Sequence, residues 1–72
     1  MPARLSRIAS VLRSYGVAVE KPSGSSHWKA SRDGFVYTIP AHNGEKTEIA
    51  DIYIRGCCRA FEIDFKEFKG KL

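Results

Sequence analysis

Apolar residues near the N-terminus recur at steps of three and four, at Leu5, Ile8, Leu12 and Tyr15. That is the stripe of an amphipathic helix. Pro2 suits the first turn of such a helix, and Gly16 offers a left-handed cap to end it. The period then shortens. Val17 to Glu20 is a β-branched stretch that reads as a first strand, and Lys21 to Ser26 interrupts the chain with proline and glycine. HWKASR (27–32) and FVYTIP (35–40) flank Asp33-Gly34, the strongest short-range signal for a hairpin. A two-residue turn there sets the register: Trp28 faces Ile39, Ala30 faces Tyr37, Lys29 faces Thr38, and His27 faces Pro40. Alternation then puts Trp28, Ala30, Phe35, Tyr37 and Ile39 on the core side. His27, Lys29, Ser31, Val36 and Thr38 share the opposite, more polar side. The same register sets His42 across from Ser25, close to His27.

Beyond a turn-rich loop, Ala41 to Ala50, Asp51 is placed to cap a helix running to about Phe61, with Ile54, Cys57, Cys58 and Phe61 as its apolar stripe. Asp64, followed three residues later by Glu67, repeats the start signal as a capping box. A short terminal helix from Phe65 to about Lys71 would pack Phe65, Phe68 or Leu72 onto the body. The pattern predicts an α+β fold of order helix, three strands, helix, short helix. Helices cover one sheet face and leave the other open.

The chain has 72 residues, so residues 1–72 read as a single domain near the lower size limit for folding without staples. A core this small needs most of Leu5, Ile8, Leu12, Trp28, Phe35, Tyr37, Ile39, Ile54 and Phe61 inside. No apolar run approaches the ~18 residues that a bilayer requires, and no signal-peptide core leads the chain; a cytosolic protein is expected. A net charge of +4 and a pI near 9.3 point to a polyanionic partner, nucleic acid first. The cysteines, Cys57 and Cys58, are adjacent, which strains any bridge between them. On a helix they project about 100° apart, so with His27 and His42 they make a poor zinc set, and no metal is expected. Reduced thiols are the simpler reading.

RNA carries its own nucleophile, the 2′-hydroxyl, so a side chain that takes its proton can cleave the strand without a metal. Imidazole suits the task because its ordinary pKa, about 6.5, leaves much of it neutral near pH 7. By position alone His27, at a strand start, reads as a surface or hydrogen-bonded residue; its role as the base, or as the acid toward the leaving oxygen, is what the likeness of its flanking motif to a known family implies. Lys29 projects from the same face toward a phosphate, and the backbone of Gly24, Ser25 and Ser26 offers an anion-binding nest. His42 is an accessory candidate. Arg4, Arg7, Arg32 and Lys46 are candidate contacts to the RNA backbone. Composition alone leaves two other readings open: a non-catalytic RNA-binding module, and a basic subunit that docks an acidic protein.

The leading helix, then GSSHW (24–28), TIPAH (38–42) and YIRGCCRAFEID (53–64), resembles the HicA toxins of HicA/HicB toxin–antitoxin systems. The likeness runs from the first helix to about Asp64. It implies an α-β-β-β-α fold like that of double-stranded-RNA-binding domains. It also implies mRNA interferase activity without a cofactor, a HicB-like antitoxin as partner, and a bacterial or archaeal cytosol. The family's catalytic histidine lies in a Gly-Ser-His element at a strand start. Here that element is Gly24-Ser25-Ser26-His27, one serine longer than the shortest form, and His42 matches a second histidine that often follows the next strand. The free chain is expected to be a monomer.

Overall fold

The computed structural model describes residues 2–21 and 26–72. Its order is β1 (Ala3–Arg4), α1 (Leu5–Ser14), β2 (Ala18–Glu20), β3 (His27–Arg32), β4 (Phe35–Pro40), a 3-10 turn (Gly44–Lys46), β5 (Glu48–Ile49), α2 (Asp51–Ala60) and α3 (Phe65–Gly70). Strands β2, β3 and β4 form an antiparallel sheet in that order, and β1 pairs with β5 in a small separate one. The helix, three-stranded sheet and closing helices are those expected from the sequence; the β1–β5 pair is an addition.

That addition changes how α1 begins. Ala3 pairs with Ile49 and Arg4 with Glu48, and the Leu5 N–H donates to the Thr47 carbonyl at 2.9 Å. The backbone therefore stays extended until Leu5, and Pro2 precedes a strand instead of occupying a first helical turn. Gly16 behaves as expected: at φ 81° it carries a closing motif in which the Val17 and Gly16 N–H groups donate to the Leu12 and Arg13 carbonyls. α2 closes the same way with Glu62 at φ 54°, its Ile63 and Glu62 N–H groups donating to Cys58 and Arg59.

Asp33 and Gly34 both have positive φ, 51° and 87°, the signature of a type I′ turn. The register is the one expected, Trp28 with Ile39, Ala30 with Tyr37 and His27 with Pro40. Trp28, Ala30 and Ile39 accordingly join one core with Leu5, Ile8 and Leu12 of α1, Ile54, Cys57 and Cys58 of α2, and Phe61 and Phe68. Tyr37 is half-buried, its ring against Gly56. Phe35, expected inside, is 62% exposed, because the hairpin tip carries it past the helices that cover the sheet. Asp51 is the first residue of α2 and not its cap; Ala50 holds the capping position. The Asp51 carboxylate instead pairs with Lys69 of α3 at 2.7 Å, and this bond holds its pKa below the ordinary range.

Asp64 caps α3 as expected, its carboxylate accepting the Glu67 N–H at 2.9 Å, but the second half of the expected capping box gives way, because the Glu67 carboxylate turns to Tyr15 and Lys71. Phe68 is fully buried, and the Tyr15 hydroxyl donates to Glu67 at 2.7 Å. One side chain ties the helical layer together beneath the sheet. Arg32 donates to the Tyr15 carbonyl (3.0 Å) at the end of α1 and to the Phe61 carbonyl at the end of α2. Both are helix C-termini, where carbonyls lack partners and the dipole favours a cation.

Arg32→Ala is expected to cost about 2–3 kcal/mol in chemical denaturation, since two charge-assisted bonds are lost. Arg32→Lys should recover less than half, because one ammonium replaces a planar fork. A Cβ at position 56 would overlap the Tyr37 hydroxyl and come within 2.8 Å of its ring. Gly56→Ala should therefore lower stability, although alanine in a helix interior is intrinsically favoured by about 1 kcal/mol.

Candidate functional site

All of the helices lie on one side of the three-stranded sheet. The other side presents Ala18 and Glu20 from β2, His27, Lys29 and Ser31 from β3, and Val36, Thr38 and Pro40 from β4. His27, Lys29, Glu20 and Thr38 are all exposed there. This is the polar face expected from alternation. His27 is the first residue of β3, and Lys29 follows two positions on, about 7 Å along the strand on the same side.

Across the sheet, Lys29 sits between two partners. Glu20 pairs with it from β2 and Thr38 from β4. A directly opposed pair brings Cβ atoms to about 5 Å, and Glu20 lies diagonal to His27 at roughly 7–8 Å. The site is thus an imidazole, an ammonium and a carboxylate on one exposed surface. Glu20 was not among the expected site residues. Its signal was the alternation of Ala18 and Glu20, but the register of β2 on β3 could not be read across the 21–26 connection.

The other expected residues are distributed as follows. Gly24 and Ser25 lie outside the described residues. Ser26 is exposed, and its carbonyl accepts the Ala41 N–H at 2.8 Å, one step beyond the hairpin register. β4 ends at Pro40, so His42 stands exposed in the turn that follows, and no strand pairing sets its place beside His27. Lys46 lines an open hollow of about 490 Å³ with Lys21, Trp28, Asn43, Gly44 and Glu45, at the His27 end of the sheet. It remains near the site. Arg32 does not: its guanidinium is committed beneath the sheet to two helix ends. Arg7 lies on α1 behind the sheet, where it donates to the Leu72 carbonyl at 3.2 Å. Arg4 is exposed on β1, opposite Glu48.

Cys57 and Cys58 are buried in α2, whereas His27 and His42 are exposed, so these four side chains do not converge. Among the described residues, no three of His, Cys, Asp or Glu gather as metal ligands. Burial pushes the Cys57 thiol up to about 12 and the Cys58 thiol up to about 11, with the neighbouring Cys58 and Asp64, respectively, adding to each shift. Neither thiol is a nucleophile near neutral pH. The same hydrogen is retained in the folded state after an exposed thiol would have lost it. The stability this gives is complete below about pH 9 and is lost as pH rises toward those values.

Compared with known proteins, the chain matches no family model, no curated protein and no solved structure. Among the described residues, no helix is long and apolar enough to cross a membrane.

At pH 8 in native buffer, a thiol reagent should label neither cysteine over the time in which it labels both in denaturant. Rapid native labelling would contradict the buried, protonated thiols.

Proposed function

We propose that the chain is a metal-independent endoribonuclease of the HicA toxin type. Its substrate is mRNA, its compartment the bacterial or archaeal cytosol, and its restraint a HicB-like antitoxin that covers the open sheet face. The observation that carries this reading is the placement of His27. It opens β3 as an exposed residue on a face that no helix of the described residues covers, with Lys29 beside it and the Lys21–Lys46 hollow at the same end. A polymer as bulky as RNA reaches such a face without any rearrangement of the core.

The proposed chemistry needs only what the chain and its substrate supply. His27 takes the 2′-hydroxyl proton, and the ribose oxygen attacks the adjacent phosphorus. The bond to the 5′-oxygen breaks, and that oxygen leaves with the proton that His27 has taken up, which returns the imidazole to its neutral form. The products are a 2′,3′-cyclic phosphate and a 5′-hydroxyl. Lys29 supports the charge that builds on the phosphoryl oxygens. Glu20, opposite Lys29 in the strand register, adds a carboxylate to this face, and His42 is an accessory contact to the strand. Lys46 and Lys21 hold the backbone by charge, a contribution that weakens with salt.

His27→Ala should reduce RNA cleavage at least about 100-fold and abolish growth arrest. Its circular dichroism and its RNA binding in gel shift should stay unchanged. EDTA should leave the wild-type rate intact. Undiminished cleavage by the variant, or an EDTA-sensitive activity, would overturn the reading. Binding without cleavage in the wild type would favour the RNA-binding module instead.

A further inference from the structure

The well-exposed large hydrophobic side chains of the described residues all lie on two neighbouring elements, Phe35 and Val36 on β4 and Ile52 and Tyr53 on α2. α2 packs along β4, with Gly56 against the Tyr37 ring, and Tyr53, three residues earlier, shares that flank of the helix. β4 is an edge strand; among the described residues, no strand pairs with its outer side. Exposed edges usually carry a charge or a bulge that blocks further pairing. Phe35-Val36-Tyr37-Thr38-Ile39-Pro40 carries no charge, and its pairing with β3 runs without interruption.

Hairpin geometry identifies the unpaired backbone groups. A two-residue turn makes Arg32 and Phe35 a hydrogen-bonded pair, and such pairs alternate along the ladder. Phe35, Tyr37 and Ile39 therefore bond to β3, whereas Val36 and Thr38 direct their N–H and C=O groups outward. Pro40, next in that outward set, has no N–H to offer.

We propose that a second copy of this chain pairs antiparallel with β4 about a two-fold axis at Tyr37, with Val36 of each copy opposite Thr38 of the other. This register uses all the outward donors and acceptors of Val36 and Thr38. It leaves Pro40 opposite Gly34, beyond the ladder. It also brings Phe35 over Ile39 of the second copy on the helix side, which covers the most exposed residue of the strand. The uncharged composition selects a second copy as the occupant. Around a two-fold axis a charged residue comes close to its own like, and like charges facing each other across strands destabilise pairing. An acidic partner, by contrast, would be drawn to Lys29, Lys21 and Lys46, not to this strand. The contact is small, so the chain is monomeric when dilute and pairs as concentration rises.

Sedimentation equilibrium on the full chain, in a series up to about 1 mM, should show concentration-dependent dimers, and hydrogen exchange at the Val36 and Thr38 amides should slow over the same range. V36K/T38K sets two like-charge pairs across the axis and should weaken association about tenfold. V36K/T38E sets the introduced ammonium opposite the introduced carboxylate and should restore it. Both sites are exposed, and circular dichroism checks the fold of each variant. A wild-type monomer throughout, dimers indifferent to V36K/T38K, or V36K/T38E as weak as V36K/T38K would overturn the proposal. So would unchanged exchange at the two amides, a reading that needs no variant.

Discussion

The arrangement depends on the two left-handed residues at the tip of one hairpin. Asp33 at φ 51° and Gly34 at φ 87° give the turn a twist that matches its strands, and this sets which residues of β3 face which of β4. The side-chain period of a strand is two, so a slip by one residue would exchange the faces. Trp28 and Ala30 would move to solvent, and His27 and Lys29 would be driven against the helices. Core and site are two sides of one register.

The helical layer holds that sheet by complementary means. Apolar side chains from α1, α2 and the segment around α3 fill the space under Trp28, Ala30 and Ile39. Arg32, on the same side of the hairpin, joins the carboxyl ends of α1 and α2 through their terminal carbonyls. α3 is fastened by buried Phe68, by the Asp51–Lys69 pair and by the Tyr15–Glu67 bond. In so small a chain these polar ties stand where a larger protein would place more core. They sit on the helical side of the sheet, the side opposite His27 and Lys29.

Much of this was legible in the residues because it was local. Asp33-Gly34 announces its turn, Gly16 its helix end, and Asp64 its cap. What escaped depended on distant segments. Pro2 looks like a helix start until Glu48 and Ile49 hold Ala3 and Arg4 extended. Asp51 looks like a cap until Lys69 draws it sideways. Phe35 has the parity of a core residue, but parity does not say how far the helices reach. Arg32 reads as a surface cation by type, yet its register partner is Phe35, on the helix side. Glu20 went unnoticed for a related reason: no tight turn joins β2 to β3, so nothing local fixes what Glu20 faces.

In the proposed function a ribose hydroxyl is deprotonated on the open sheet face by side chains acting on RNA alone. The most direct measurement is cleavage of a matched pair of oligonucleotides, one all-ribose and one with a single 2′-deoxy sugar at the cut position, with the product ends identified by mass spectrometry. The account predicts fragments ending in a 2′,3′-cyclic phosphate and a 5′-hydroxyl from the first, and no cut at that position in the second. Cleavage of the deoxy-substituted strand, or fragments bearing 5′-phosphates, would contradict it.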